Sequence, residues 1–99
     1  MNPARGEAAI EIGGTMVTLR PTFEALVAAE EELGPLFAVV ERAAAGGLLL
    51  REIVALFWHC AGPTGQLNRE QFSDAVTAAG LARATPALRV LIGQILQGR

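Results

Sequence analysis

A helical segment with no polar face constrains the fold of this chain more than any other feature. Residues 53–61 read IVALFWHCA, and only Arg51 and Glu52, just before them, carry charge. Large apolar side chains fall on nearly every side of such a helix, so it has no face suited to water. We therefore predict a helix from about Leu49 to Ala61 in the middle of the fold, with the other elements packed around it.

The composition predicts a small domain that contacts other proteins. Of the 99 residues, 52% are hydrophobic and 18% are charged, and a chain of this length buries only about 60–65% of its unfolded surface. Some apolar side chains should therefore stay exposed, which is typical of a protein-binding surface. The net charge of −2 argues against nucleic acid as a partner, because nucleic-acid-binding proteins present clustered basic residues.

Two short apolar runs around Gly13-Gly14 predict a β-hairpin near the N-terminus. Two glycines accept the positive φ values of a tight primed turn. An isolated hairpin is marginally stable, so its apolar face should lie on helices or on a neighbouring subunit. This face consists of Ile10, Ile12, Val17 and Leu19, and Glu7 and Glu11 lie on the opposite face of the first strand.

Helix signals follow through the rest of the chain, in five segments. The first begins at Pro21-Thr22 and ends at Gly34, the second covers residues 35–45, and the third covers residues 49–61. The predicted fold class is therefore α+β, mainly α. It has an N-terminal β-hairpin (about residues 6–20) followed by a compact bundle of about five short helices (about residues 21–98), in a single domain of residues 1–99.

The last two helices have clear start signals. Asn68 and Gln71 have the spacing of a capping box, and Gly80 ends the fourth helix. Thr85 as N-cap and Pro86 as first residue start the fifth helix, which runs to Gly98-Arg99. The inward face of the fourth helix is predicted to carry Phe72, Ala75, Val76 and Ala79.

Apolar stripes and an acidic cluster mark the first two helices. Three successive glutamates, Glu30 to Glu32, lie at the end of the first helix, where negative charge opposes the helix dipole. Either an arginine approaches them from elsewhere in the fold, or they form a solvated acidic patch. The predicted stripes are Phe23, Leu26, Val27 and Leu33 on the first helix, and Leu36, Phe37, Val39 and Val40 on the second.

No residue pattern indicates a catalytic, cofactor or metal site. His59 and Cys60 point about 100° apart on their helix and cannot pair as base and nucleophile. We predict that Cys60 packs in the core and that His59 lies at its boundary with a bonded ring nitrogen. A calcium-loop alignment fails, because its ligand positions carry no carboxylate. Those positions are Cys60, Gly62, Thr64 and Gln71.

A helix-turn-helix interpretation of the third and fourth helices is also weak. The would-be recognition helix offers only Arg69 as a cation, against Glu70 and Asp74, so phosphate would repel it. The single cysteine and the lack of an apolar h-region at the start predict a cytoplasmic protein without disulfides.

The last helix supplies the candidate protein interface. Its apolar residues cover about half of the helix circumference, which is more than a small bundle can bury. Leu91, Ile92 and Ile95 are predicted to face the core. Leu88 and Leu96 are then predicted to be exposed, for a self-contact or for a tape-measure segment. The candidate interface residues are Leu88, Leu91, Ile92, Ile95 and Leu96.

Several residue runs resemble the gene transfer agent family, small proteins of phage-like tail gene clusters in alphaproteobacteria that are grouped with tail assembly chaperones. The resemblance lies in the opening NPARGE, the hairpin end at Leu19-Arg20, the run FEAL from Phe23, the run EEELG ending at Gly34, and the run LREIV with the later Gly62. It spans most of the chain, apart from residues 84–99.

The resemblance implies a non-enzymatic tail assembly chaperone that binds the tape-measure protein, tail-tube subunits or both. A structural tail component that stays in the particle is the alternative, and a small helix-turn-helix-like regulator is a weaker one. The residues themselves predict no cofactor and no membrane partner, since the longest uncharged stretch, Ile53 to Asn68, is too short and too polar at its end to span a bilayer.

Overall fold

The computed structural model describes residues 8–62 and 67–97. Two strands precede five helices, which confirms the predicted fold class. The elements are β1 (Ala8–Ile12), β2 (Thr15–Leu19), α1 (Phe23–Leu33), α2 (Leu36–Ala44), α3 (Leu50–Ala61), α4 (Arg69–Ala79) and α5 (Leu81–Gln97). The predictions for Glu7, for the turn and the calcium position at residues 63–65, and for the chain end at Gly98-Arg99 lie outside the described residues.

The predicted hairpin forms around the Gly13-Gly14 turn. β1 and β2 pair antiparallel, with Ile10 opposite Val17 and Ala8 opposite Leu19. Gly13 and Gly14 have φ values of 55° and 79°, as the tight primed turn requires. The apolar face packs within the chain, with β1 on α4 and α5 and β2 on α3. Helices of the same chain therefore stabilise the hairpin.

α3 lies at the centre of the fold, as predicted. It packs on α1, α4 and β2, and Leu56 and Phe57 are fully buried. Trp58 is half-buried and meets the Phe72 ring of α4 edge-on, with ring centroids 5.4 Å apart. Phe72 and Val76 of α4 are buried on the predicted inward face, with Ala75 and Ala79 partly buried beside them. The apolar character of α3 is thus explained by contacts on several sides.

Local capping fixes where the helices begin and end. The Thr22 hydroxyl accepts a hydrogen bond from the Ala25 amide at the start of α1. At the start of α4 the Asn68 side chain accepts from the Gln71 amide, and the Gln71 side chain accepts from the Asn68 amide. This reciprocal pair confirms the predicted capping box, which satisfies two otherwise unpaired amides.

α5 begins one turn earlier than predicted. Leu81 and not Pro86 is its first residue, and the Gly80 carbonyl accepts from the amides of Arg83 and Ala84. The extra turn buries Ala84, which is 2% exposed. Pro86 then lies inside the helix, where it cannot donate to the carbonyl one turn before it. Ala84 thus joins the core, and Pro86 is not the first residue of the helix.

α4 and α5 meet at Gly80 with a bend of 109°. No single helix among the described residues is long and apolar enough to cross a membrane. This bent pair meets the length and composition criteria only when its two helices are counted together.

Candidate protein-interaction surface

Two phenylalanine rings lie almost wholly in solvent. Phe23, the first residue of α1, is 85% exposed, and Phe37, near the start of α2, is 82% exposed. The predicted stripes placed both rings inside, so these two predictions are wrong. A phenyl ring forgoes about 2–3 kcal/mol of burial free energy when it stays in water. Exposed rings of this kind are what a partner protein can cover.

Phe23 belongs to a mixed apolar and acidic face of α1. Val27 lies one turn after it and is 36% exposed, and Glu24, Glu30 and Glu31 are exposed on the same side. Val27, Glu30 and Glu31 follow Phe23 by four, seven and eight residues and share its face of the helix, and Glu24 lies at the edge of that face. The buried side of α1 is built instead from Ala29, with Leu26 and Leu33 partly buried. We call Phe23, Glu24, Val27, Glu30 and Glu31 the acidic face.

α2 repeats the arrangement in a shorter form. Glu41 is exposed one turn after Phe37, whereas Val39, nearly opposite Phe37, and Val40, nearer to it, are buried. The amide of Leu36 donates to the Glu30 carboxylate at 3.0 Å, which caps the start of α2. A carboxylate is favourable at this positive end of a helix. Glu30 thus stabilises the connection between α1 and α2, and with it the orientation of the side of α2 that carries Phe37.

The spacing of apolar and acidic residues along α1 and α2 already indicated that Phe23 and Phe37 face solvent, which the stripe prediction missed. On α1, Leu26, Ala29 and Leu33 repeat at intervals of three and four and form a complete inward face without Phe23. On α2, Phe37 shares its side with Glu41, four residues later, and Val39 lies nearly opposite. The carboxylates mark the solvent side, and both rings lie on it.

The five candidate interface residues of α5 divide between the core and the surface. Leu91 is fully buried, and Leu88, Ile92 and Ile95 are partly buried against the core. Leu96 alone of the five is well exposed, at 60%. Leu88 was predicted to be exposed, but it shares the inward side with Ala84 and Leu91, three or four residues away.

A charged junction joins α1, α3 and α4. Glu32 Oε2 accepts a hydrogen bond from the Arg69 guanidinium, and Glu32 Oε1 lies 2.8 Å from Nε2 of His59. The Arg69 hydrogen bond first, and the His59 hydrogen bond second, hold the pKa of the Glu32 carboxyl below its usual range. An arginine therefore does approach the acidic end of α1, while Glu31 makes no ion pair with any described residue and faces solvent. The bonded ring nitrogen of His59 confirms its predicted boundary role.

A second ion pair fastens α2 to α3. The Arg42 guanidinium bonds to Glu52, whose other oxygen accepts from the Leu49 amide at 2.9 Å. The Leu49 hydrogen bond and then the Arg42 hydrogen bond lower the pKa of the Glu52 carboxyl. Glu52 therefore serves both as the cap of α3 and as the anchor of α2.

Cys60 packs in the core, as predicted. It is 4% exposed, and burial raises the pKa of its thiol to about 12. The thiolate is the reactive form of cysteine, so a thiol in this state is a poor nucleophile and a poor metal ligand. Across residues 8–62 and 67–97, no group of three or more His, Cys, Asp or Glu side chains is placed to hold a metal ion.

Shallow clefts lie between the helices. One of about 340 Å³ lies beside the charged junction, between Glu32, Leu50 and Arg69. Another, of about 410 Å³, lies between β2, α1 and the end of α3, next to Arg20, Glu24 and His59. Both are open to solvent, unlike the enclosed pockets that bury most of a small ligand. The exposed rings are therefore the more informative surface feature.

Comparison with known protein families shows which family the chain belongs to, which the surface features alone do not. A family model described as "Phage tail tube protein, GTA-gp10" matches residues 5–98. The chain belongs to this family. The match confirms the predicted gene transfer agent and phage tail relationship, but the description is of a tube protein and not of an assembly chaperone. No curated protein and no solved structure matches the chain.

Proposed function

We propose that this protein acts by direct contact with other tail proteins in the building of a phage-like tail, without catalysis, and is retained in the finished tail as a structural component. The family description favours this role over the chaperone role that the resemblance implied. The observation that carries the proposal is the exposure of Phe23 and Phe37, each above four fifths, in a domain of this family.

The two rings suit protein contact better than any other task. Aromatic side chains are enriched in the energetically dominant positions of protein interfaces. Phe23 and Phe37 each begin a helix face that continues into glutamates, so a partner would find apolar area bordered by negative charge. Cys60 and His59, the side chains best suited to chemistry, are engaged in the core and in the charged junction.

A tail assembly chaperone is the second candidate, and one observation favours it. The carboxylates beside the exposed rings, such as Glu24 and Glu41, keep a free domain soluble while its apolar groups remain available. A chaperone needs this state, because it must exist free in the cytoplasm before it meets a partner such as the tape-measure protein.

Quantitative mass spectrometry of purified particles separates the two roles. A structural component should be present in amounts comparable with those of other tail proteins and should survive a high-salt wash. A chaperone should be present in the cell lysate and absent from the particle. Deletion of the gene should stop tail formation in either case, and normal tails after deletion would overturn the proposal.

A further inference from the structure

The outer edge of β2 presents backbone groups that no neighbouring strand covers. In a hairpin with a two-residue turn, the residues that flank the turn exchange both ladder hydrogen bonds, and the next pair exchanges none. Ile12 and Thr15 flank the turn and pair with each other, so the amides and carbonyls of Met16 and Thr18 point away from β1. Within residues 8–62 and 67–97, no other backbone group bonds to them.

A hydrogen bond at the end of β2 shows which way this edge faces. The amide of Arg20, two residues after Thr18, donates to the carbonyl of Cys60 in the last turn of α3 at 2.9 Å. Outward backbone groups recur at every second residue of an antiparallel strand, so the Thr18 amide points to the same side as the Arg20 amide. The edge is therefore covered by α3 at Arg20 and, among the described residues, open at Thr18.

A cleft of about 410 Å³ runs along this side of β2, between the strand, α1 and the end of α3. Thr18 lines it on the strand side, and Glu24, Ala25 and Ala28 line it on the α1 side. A strand that pairs with an edge lies about 4.8 Å from it, so a segment added to β2 would enter the space between β2 and α1. We call Thr18, Glu24, Ala25 and Ala28 the strand groove.

β2 lacks the features that usually keep an edge strand from pairing. Natural edge strands are protected by charged side chains, by proline or by a bulge. β2 reads TMVTL, and it pairs with β1 from Thr15 to Leu19 without a bulge. β1, in contrast, carries Glu11 at an outward position of its own edge. The two edges of one hairpin therefore differ, and the edge of β2 is the one open to pairing.

Charge on the rim of the strand groove restricts what can enter it. Glu24 is exposed and makes no ion pair with any described residue. Arg20 and His59 also line the cleft, but both already have contacts, that of His59 being with Glu32. A lysine or arginine of an incoming segment would match the Glu24 carboxylate, whereas an acidic side chain there would be repelled.

We propose that the strand groove binds an extended segment of another tail protein, which adds a strand to β2 and places a cationic side chain beside Glu24. In this mode of recognition, main-chain hydrogen bonds give the affinity and side chains at alternate positions give the specificity. The segment must lack proline at its pairing positions. This inference rests on the proposed role in the tail, because that role supplies the partner, and it assigns the contact to a strand edge and not to the exposed rings.

Overlapping synthetic peptides that cover the other tail proteins of the particle are the probes. A peptide that adds a strand should shift the amide NMR signals of Met16 and Thr18 and slow their hydrogen exchange. Methylation of single backbone nitrogens in the bound peptide gives the decisive measurement. Because strand pairing has a period of two, methylation should weaken binding at least about tenfold at every second position and hardly at all between them.

Two proline variants test the same contact from the side of the protein. Thr18→Pro removes the outward amide of β2, and Ala9→Pro, directly opposite on β1, is the matched control. Neither amide takes part in the ladder, so both variants should fold, which far-UV circular dichroism and a thermal melt check. Thr18→Pro should weaken peptide binding at least about tenfold, and Ala9→Pro should change it by less than about twofold.

A charge reversal tests the cationic side chain of the segment. Glu24→Lys should weaken binding of the peptide several-fold, and high salt should reduce the difference from the wild type. Glu70→Lys makes the same change in charge at an exposed position of α4 outside the cleft and should bind like the wild type. Equal binding by the Glu24 variant and the wild type would contradict the cationic match.

Three results would overturn the strand groove. They are the absence of binding by every peptide, a bound peptide whose methylation shows no alternation, and protection of the Thr18 amide in the protein alone as its concentration rises, which would mean pairing with a second copy. If Thr18→Pro unfolds, the methylated peptides still decide the question on the wild-type protein.

The protein content of purified particles separates this result from the proposed function. Wild-type protein that is missing from particles contradicts the structural role, while an alternating methylation pattern would still support the strand groove. Protein that is retained in particles, with no such pattern for any peptide, contradicts the strand groove alone.

Discussion

The four phenylalanines of the chain form two contrasting pairs. Phe57 of α3 and Phe72 of α4 have no exposed surface at all, while Phe23 of α1 and Phe37 of α2 are 85% and 82% exposed. All four lie in helices, and each pair contains one ring with apolar sequence neighbours (Phe57 and Phe37) and one with polar neighbours (Phe72 and Phe23). The difference between the pairs is therefore one of position on the helix and in the fold, and not one of local sequence hydrophobicity.

The place of a helix in the fold determines how many other elements cover it, and so whether a ring on it is buried. α3 packs on α1, α4 and β2, so that a ring on it finds a partner on several sides. α1 has one inward side and α2 packs mainly on α1, so each of them has a wide side that no other element covers. A ring on that side has no partner within residues 8–62 and 67–97. The interior pair contributes to folding, and the exterior pair is available for binding.

The largest expected loss of stability comes from replacing a buried aromatic ring. Phe72→Ala should lower the free energy of unfolding by about 3–5 kcal/mol, because it leaves a cavity and also removes the edge contact with Trp58. Trp58→Ala should cost less, since the indole ring is only partly buried. Urea denaturation measures both. A loss below about 1 kcal/mol for Phe72→Ala would remove the basis of the comparison.

Most of the interior could be predicted from the sequence, whereas the exterior and the packing of α5 could be predicted only in part. The uncharged run of α3, the glycine turn of the hairpin and the Asn68–Gln71 box are local signals, and each produced the expected element. Phe23 and Phe37 were misplaced because hydrophobicity alone assigns a ring to the core. Leu88 and the start of α5 were misplaced because the packing of α5 on β1 and α4 is a property of the whole fold and not of the local sequence.

The next prediction tests the stability of the interior helix α4 without replacing an aromatic residue. Asn68→Ala should lower the free energy of unfolding by about 1 kcal/mol, because it removes the acceptor for the Gln71 amide at the start of the helix that carries Phe72. Asn68→Asp keeps an acceptor and should restore most of the loss. Equal losses for the two variants would show that the side-chain acceptor is not the source of the stabilisation.

A smaller effect concerns the junction between the exterior helix α1 and the interior helices α3 and α4. The folded pKa of Glu32 lies below its unfolded value, so its contribution to stability is present above about pH 4.3 and is lost as the pH falls through the folded pKa. Because the side chain is 38% exposed, the contribution is screened and should be only about 0.2–1 kcal/mol.

Glu32→Gln measures this contribution. The variant should be less stable than the wild type near neutral pH, and the difference should vanish in acid, where the protonated carboxyl resembles the amide. High salt should reduce the difference. A difference that stays constant from neutral pH to about pH 3 would mean that the contacts with Arg69 and His59 do not depend on the carboxylate charge.

The smallest expected change in stability carries the most information about function. Phe37→Ser should alter the free energy of unfolding by no more than about 0.5 kcal/mol, because the ring is 82% exposed and contributes little packing to the fold. The same variant should lose co-purification with tail proteins from cells that assemble the particle. Met16→Ser, at a side chain that is 49% exposed on β2, is the matched control and should keep this co-purification.

If Phe37→Ser destabilises the protein by more than about 1 kcal/mol, the ring belongs to the packing of α2. If the variant is stable and assembles normal tails, exposure of this ring is not what recruits the partner, and Phe23 on the acidic face of α1 becomes the side chain to test.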